Sequence, residues 1–241
     1  MKISIVIPAF NEARLLGDTL RAVQAALTRF TRRGWATELI VCDNNSTDAT
    51  PEIARAAGAQ VVFEPENQIA RARNSGAAAA TGDWLVFVDA DSHPSAELFA
   101  DVAAQIESGR CLAGGSTVIL DTPKLLPRFV AQLWNWTSRV TRWPAGSFIY
   151  CEAAVFQKLG GFNQELFASE EIEFGRRLKP LARAERKRIV ILHRHPLVTS
   201  ARKIHLYTFG EHLRFLLKTI LRGGQPLTDR AACHTWYDGR R

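Results

Sequence analysis

The strongest constraint in this chain is a rhythm. Short apolar runs alternate with helix-like segments through the first half, and the runs stop at polar clusters. Ile3 to Ile7 is a buried-strand run stopped by Pro8, after which Leu15, Leu16, Leu20, Val23 and Leu27 recur at helical spacing. Leu39 to Cys42 and Val61-Val62-Phe63 read as the next two strands. Between them Thr50-Pro51 opens a helix, with the hydroxyl as cap and proline at the first helical position, and Gly58 ends it. Arg71 to Ala80 reads as an alanine-rich helix, Trp84 to Val88 as a fourth strand and Ser95 to Ile106 as the following helix. Strand alternating with helix implies parallel pairing with right-handed crossovers, hence an α/β fold around an open sheet.

In such sheets ligands gather beyond the carboxyl ends of the strands. Polar residues cluster there in this sequence. Phe10-Asn11-Glu12 follows the first strand, Asp43-Asn44-Asn45-Ser46 the second and Asp89-Ala90-Asp91 the fourth. Three clusters at three strand ends converge on one crevice. Two carboxylates as close as Asp89 and Asp91 repel each other unless a cation or hydrogen bonds compensate. A hard ion such as Mg²⁺ or Mn²⁺ takes one or two carboxylates and completes its shell with substrate phosphates.

Composition narrows the partners. The net charge is +7, which favours anionic partners without choosing among phosphates, nucleic acid and an acidic membrane surface. The basic residues are scattered and accompany no nucleic-acid-binding motif, so no nucleic-acid partner is expected. No stretch of about 18 apolar residues is present, so no membrane span is expected. The four cysteines form no C-x-x-C pair. Cys42 and Cys111 read as buried core thiols, which fits a reducing cytosol. The opening apolar run is too short for a signal peptide.

The second half is less regular. Leu125 to Trp143 carries apolar and aromatic residues among Lys124, Arg128, Arg139 and Arg142. That composition fits an interfacial helix, and equally a helix packed on the sheet. Phe148 to Phe162 reads as a turn and a helix ended by Gly160-Gly161, Ile189 to Leu192 as a late strand, and His205 to Leu221 as an amphipathic helix. Residues 1–225 are expected to form one domain, with a nucleotide-binding half over 1–110 and an acceptor-side half over 111–225. Residues 226–241 are expected to form a tail.

Six segments in order resemble the family 2 glycosyltransferases. They are Ser4 to Glu12, Val41 to Asp48, Ala70 to Gly76, Asp83 to Asp91, Ser147 to Phe162 and Ser169 to Phe174. The resemblance implies a GT-A fold, a Rossmann-like and mostly parallel central sheet flanked by helices, with an irregular helical acceptor-side part. It implies an inverting, metal-dependent transfer of a sugar from a nucleotide sugar, UDP-linked by expectation, to a hydroxyl acceptor. In this reading Pro8, Phe10, Asn11, Glu12, Asp43, Arg71, Arg73 and Asp89 serve the nucleotide. Asp91 and Asp89 take Mn²⁺ or Mg²⁺, with His193 as a further ligand. The family usually has Glu-Asp in the late acidic motif, with the aspartate as base. Here the pair is Glu170-Glu171, Glu171 stands at the aspartate's place, and Glu170 stays open as the base. The base removes the acceptor hydroxyl proton as the anomeric carbon is attacked. His195, Arg194 and Arg202 are further phosphate or metal candidates, and Ser200 to Lys203 a basic turn near the leaving diphosphate. The aromatic segment and the basic C-terminal helix allow peripheral contact with the inner face of a membrane carrying a lipid-linked acceptor. Two other readings stay open: a non-catalytic nucleotide-sugar-binding protein and a sugar-nucleotide nucleotidyltransferase. A glycine-rich basic loop is missing after the first strand, which counts against the second.

Overall fold

The computed structural model describes residues 1–202 and 225–233. The expected helix at His205 to Leu221, Lys203 and the second half of the expected tail, 234–241, lie outside the described residues.

Among the described residues, eight strands form one sheet. They are β1 (Lys2–Ala9), β2 (Ala36–Asp43), β3 (Gln60–Phe63), β4 (Trp84–Val88), β5 (Ser92–His93), β6 (Cys111–Asp121), β7 (Phe148–Glu152) and β8 (Arg188–Ser200). Their order is β3-β2-β1-β4-β7-β6-β8-β5. The pairs β3–β2, β2–β1, β1–β4 and β6–β8 are parallel, and those of β7 with β4 and β6, and of β5 with β8, are antiparallel. Helices α1 (Leu16–Thr31), α2 (Thr50–Ala56), α3 (Ile69–Ala78), α4 (Ala96–Glu107), α5 (Leu125–Thr141), α6 (Ala153–Lys158) and α7 (Glu170–Ala184) flank the sheet. The architecture is the expected α/β one.

Strand periodicity explains the two-sided core. In β1, Ile3, Ile5 and Ile7 join the cluster formed with Leu16, Leu20 and Val23 of α1 and Leu98, Phe99 and Val102 of α4. Val6 faces the other way, into the cluster with Phe156, Phe162, Phe174 and Leu178. β4 divides likewise, Trp84, Val86 and Val88 against Leu85 and Phe87. Strands covered on both faces read as continuous apolar runs, which is why the first half was legible.

Three local expectations change. Thr50 is the first residue of α2 rather than its cap, and the Asp48 carboxylate accepts from the Thr50 N–H at 3.0 Å. The segment expected as turn and helix begins with β7, and the long strand β6 precedes α5. The late strand runs well past Leu192, to Ser200. All four cysteines are free and buried, and burial pushes the Cys42 thiol up to about 12 and Cys111 to about 11.

Candidate active site

The parallel strands β1, β2 and β4 end on one side, as their register requires. A crevice opens there, lined by Pro8, Ala9, Phe10, Glu12, Asn44, Ile69, Asp89, Ala90 and Asp91. All three polar clusters border it, though not every expected residue faces it. Asn11 has φ 51°, and its carboxamide oxygen accepts from Thr47 N–H at 2.8 Å while Ser46 Oγ accepts from the Asn11 N–H at 3.0 Å. It stitches the loop after β1 to the loop after β2. Asp43 is buried and accepts from the Ser46 N–H at 3.0 Å, an Asx turn that leaves Asn44 on the crevice wall.

Two arginines organise the acids. Arg73, on α3, is 2% exposed. It donates to Glu170 Oε1 at 2.6 Å, to Asp89 Oδ1 at 3.0 Å and to the Gly146 carbonyl at 2.7 Å. Burial works against its charge, but Asp89, Glu170 and Glu171 outweigh it and hold the guanidinium's pKa above its ordinary value. Arg202, just past β8, donates to both Glu12 oxygens at 2.7 and 2.9 Å and lies 3.7 Å from Asp91 Oδ2. The Asp91 carbonyl accepts from the Ser200 N–H at 3.1 Å, which fixes the end of β8 beside the acid pair.

Glu170 and Glu171 open α7, after Ser169 at φ 64°. Burial, and then the neighbouring Glu170 carboxylate, push the Glu171 carboxyl up to about 8, against the pull of Arg73. The Glu170 carboxylate is 5% exposed and engaged by Arg73 at 2.6 Å. The two acids therefore have different environments although they are adjacent in sequence. Gly146 separates Arg73 from Glu171: a Cβ there would lie 3.4 Å from both Arg73 Nη2 and Glu171 Cδ. The segment after α6 is fixed by Asn74, which donates to the Phe162 carbonyl at 2.8 Å and accepts from the Phe162 N–H at 2.9 Å. Gly161 lies against this contact with φ 72°, and a Cβ there would meet the Asn74 oxygen at 2.6 Å.

Other expected residues are not brought to the crevice. Arg71 pairs with Glu66 at 2.9 Å and Gln68 at 3.1 Å, and is not on the crevice wall. His193 is exposed in β8, seven residues before Ser200, and does not line the crevice that Asp89 and Asp91 border. His195 lies 2.9 Å from Asp101 Oδ2 on α4, and Arg194 is exposed. The sequence reading missed Asn44, Ile69 and Gly146. Asn44 stood inside a quoted cluster, whereas Ile69 and Gly146 carry no local signal.

Among the described residues no three His, Cys, Asp or Glu side chains cluster as a metal cage. Asp89 and Asp91 nevertheless fit a divalent ion. Both border the crevice, their oxygens are hard donors, and a cation, Arg202, already lies beside Asp91. An ion with so few protein ligands would be one completed by phosphates and water.

The family model described as glycosyl transferase family 2 matches residues 4–155. An uncharacterized glycosyltransferase of Mycobacterium tuberculosis is 32% identical over 139 residues, which cover 57% of this chain and 55% of that protein. The chain thus spans about half the length of the curated relatives it matches. Staphylococcus aureus TarS in complex with UDP-GlcNAc superposes with a TM-score of 0.64 at 22% identity, covering 84% of this chain and 59% of that one. A mannosyltransferase from Pyrobaculum calidifontis, in complex with GDP-Man and Mn²⁺, gives a TM-score of 0.64 at 21% identity, covering 97% and 68%. With the family model covering well over half its length, this chain belongs to glycosyl transferase family 2.

Proposed function

We propose that the protein is an inverting glycosyltransferase that moves a sugar from a nucleotide sugar, preferably UDP-linked, to an acceptor hydroxyl. One observation carries the reading. An acid-lined crevice at the strand ends adjoins a carboxyl, Glu171, whose basicity is raised to about 8. TarS, solved with UDP-GlcNAc, and the mannosyltransferase, solved with GDP-Man and Mn²⁺, support a nucleotide-sugar donor, and the mannosyltransferase supports a divalent ion.

Phe10 and Pro8 offer apolar surface to the base, and Asn44 and Glu12 offer polar groups to the nucleoside. Asp91 and the free oxygen of Asp89 would hold the ion, which supplies charge neutralisation to the departing diphosphate. Arg202 adds a second cation at the same place. Glu171 accepts the acceptor hydroxyl proton while that oxygen bonds to the anomeric carbon. The bond from that carbon to the diphosphate breaks, and the electron pair leaves with the nucleotide. Glu170 is the positioning acid, since Arg73 engages it. On the acceptor side Gly146 and Pro144 follow directly from α5, and we extend the proposal to a lipid-linked acceptor presented along that helix.

Calorimetric titration of UDP and GDP, each with and without Mn²⁺, tests this. Wild type should bind one nucleotide in a Mn²⁺-dependent manner, and Asp91→Ala should lose the Mn²⁺-dependent part. Unchanged affinity in Asp91→Ala would remove the metal assignment. Tight binding by wild type without turnover of any nucleotide sugar would favour a binding protein.

A further inference from the structure

Helix α5 is amphipathic in the wrong direction for a core helix. Its buried residues are Pro127, Ala131, Asn135 and Ser138. Its large apolar residues point out: Leu125 is 80% exposed, Phe129 67%, Trp136 64% and Val140 65%, with Leu126, Val130 and Leu133 between 45% and 57%. At about 100° per residue these seven fall within an arc of about 140°. Ordinary monomers leave no more than a few hundred Å² of contiguous apolar surface, and seven such side chains at this exposure exceed it.

The helix does not need this face for its attachment. Asn135 accepts from the Val118 N–H and donates to the Val118 carbonyl, both at 2.9 Å, so a polar clamp holds α5 on β6. Trp134 packs against the core while Trp136 points away. Packing therefore explains Trp134 and leaves Trp136 unexplained.

The surrounding charge is of one sign. Residues 124–143 contain Lys124, Arg128, Arg139 and Arg142, all exposed, and no acid. Arg128 and Arg139 lie along one border of the apolar arc by the same angular count. At the C-terminal end, Val140 and Thr141 open into a recess lined also by Arg142, Lys179, Arg183 and Lys187. Of these, Lys187 pairs with Glu152. Apolar side chains bordered by cations, with a basic recess at one end, complement an anionic bilayer, whose headgroup phosphates lie next to its acyl region. No described helix is long and apolar enough to cross a membrane.

We propose that the outer face of α5 docks the protein on an anionic lipid bilayer, with Leu126, Phe129, Leu133 and Trp136 inserted below the headgroups and the Arg142–Lys179–Arg183 recess against lipid phosphate. Trp143, Pro144, Ala145 and Gly146 run from this helix to the Glu171 carboxyl, so docking turns the acceptor side toward the lipid surface. The purpose of the surface rests on the transferase reading; its lipid binding does not, and is measured without turnover.

The test is co-flotation with vesicles of phosphatidylcholine, alone or containing phosphatidylglycerol, together with tryptophan fluorescence. Wild type should float with the anionic vesicles, shift its emission to the blue and release at high salt. Phe129→Ser/Leu133→Ser/Trp136→Ser should weaken binding about tenfold or more, and Arg128→Glu/Arg139→Glu by a similar factor. Both should keep the wild-type Tm and nucleotide affinity. Equal flotation of wild type and the serine variant overturns the proposal. So does a dimer of the wild type that the serine variant dissolves. A lowered Tm for the serine variant overturns it too, because the face would then be covered within the free protein. Failure of wild type to bind nucleotide while it still floats removes the transferase reading alone.

Discussion

Asp89 and Asp91 are two residues apart in sequence and each faces an arginine, yet the two pairs are built differently. The Arg73 side chain is 3% exposed, is held by α3, and is shared among Asp89, Glu170 and the Gly146 carbonyl. Arg202 is 18% exposed, stands just past the end of β8, and has its short contacts to Glu12, with Asp91 at 3.7 Å. The first pair is part of the fold and ties α3 to the start of α7 and to the Gly146 carbonyl. The second is a long contact at the crevice mouth, where an incoming cation or phosphate can compete. A buried ion whose partner is lost is costly, and more so at Arg73, 3% exposed, than at Arg202, whose 18% exposure lets solvent replace part of the contact. The acid pair is thereby divided: Asp89 is committed to a structural clamp through one oxygen, and Asp91 meets its arginine only at 3.7 Å.

The largest effect should come from the clamp. Arg73→Met leaves Asp89 and buried Glu170 facing each other without a cation, at a cost of about 3–5 kcal/mol. In a chain of this size that lowers Tm by roughly 10 °C, and the deficit should shrink at pH 5 and below as the carboxyls protonate. Thermal unfolding followed from pH 8 to pH 4 checks it. A variant as stable as wild type at pH 7 would dissolve the distinction between the two arginines.

Glu171→Gln comes next and concerns what the clamp surrounds. Transfer should fall by about two to four orders of magnitude with nucleotide affinity unchanged. Wild-type turnover should rise as pH passes through about 8, because the base works only when deprotonated. Stability moves oppositely. The folded carboxyl holds its proton to about 8 against an ordinary 4.5, so the native state binds more protons than the unfolded one, and wild-type stability declines as pH rises through that window. The glutamine variant lacks this decline, and its Tm should exceed that of wild type above pH 8 and converge with it near pH 4. A parallel pair of Tm curves would move the base to another group.

The two pairs also differ in how far the sequence announces them. The first half is readable because each apolar strand end carries its polar cluster within a few residues, as at Ile7 to Glu12 and Val88 to Asp91. Buried two-faced strands leave an unbroken apolar run, and its end marks the crevice. The second half lacks that regularity. β6 contains Gly114 and Gly115, where a Cβ would meet the Val190 carbonyl at 2.0 Å and Pro144 at 2.7 Å, so close packing rather than apolar bulk defines the strand. β7 reads Phe-Ile-Tyr-Cys-Glu and passes as the start of a helix until its antiparallel place between β4 and β6 is known. Helix α5 reads as interfacial or as packed on the sheet, and the two are told apart only when its inner face proves to be Pro127, Ala131, Asn135 and Ser138. His193 illustrates the converse. A histidine in a late strand looks like a ligand, but the strand runs seven residues further before it reaches Asp91.

The smallest effect on the fold should come from Arg202→Gln, and it sharpens the comparison most directly. The guanidinium is partly solvated and its contacts join residues that already sit on rigid strand ends. Its loss removes two charge-assisted hydrogen bonds from buried Glu12, but the glutamine amide can still donate one, so stability should fall by about 1–3 kcal/mol, less than for Arg73→Met. Its removal also lifts one positive charge from the crevice mouth, so nucleoside diphosphate affinity should fall roughly tenfold, the equivalent of one charge-assisted hydrogen bond. If Asp91 takes Mn²⁺ as proposed, the ion and Arg202 compete for one carboxylate and are partly interchangeable before the nucleotide arrives. The variant should therefore bind Mn²⁺ alone no more weakly than wild type while binding UDP more weakly in its presence. Paired calorimetric titrations of Mn²⁺ and of UDP read the two affinities separately. If Arg202→Gln instead costs as much stability as Arg73→Met, both arginines are structural, and Asp91 is no more available to a ligand than Asp89.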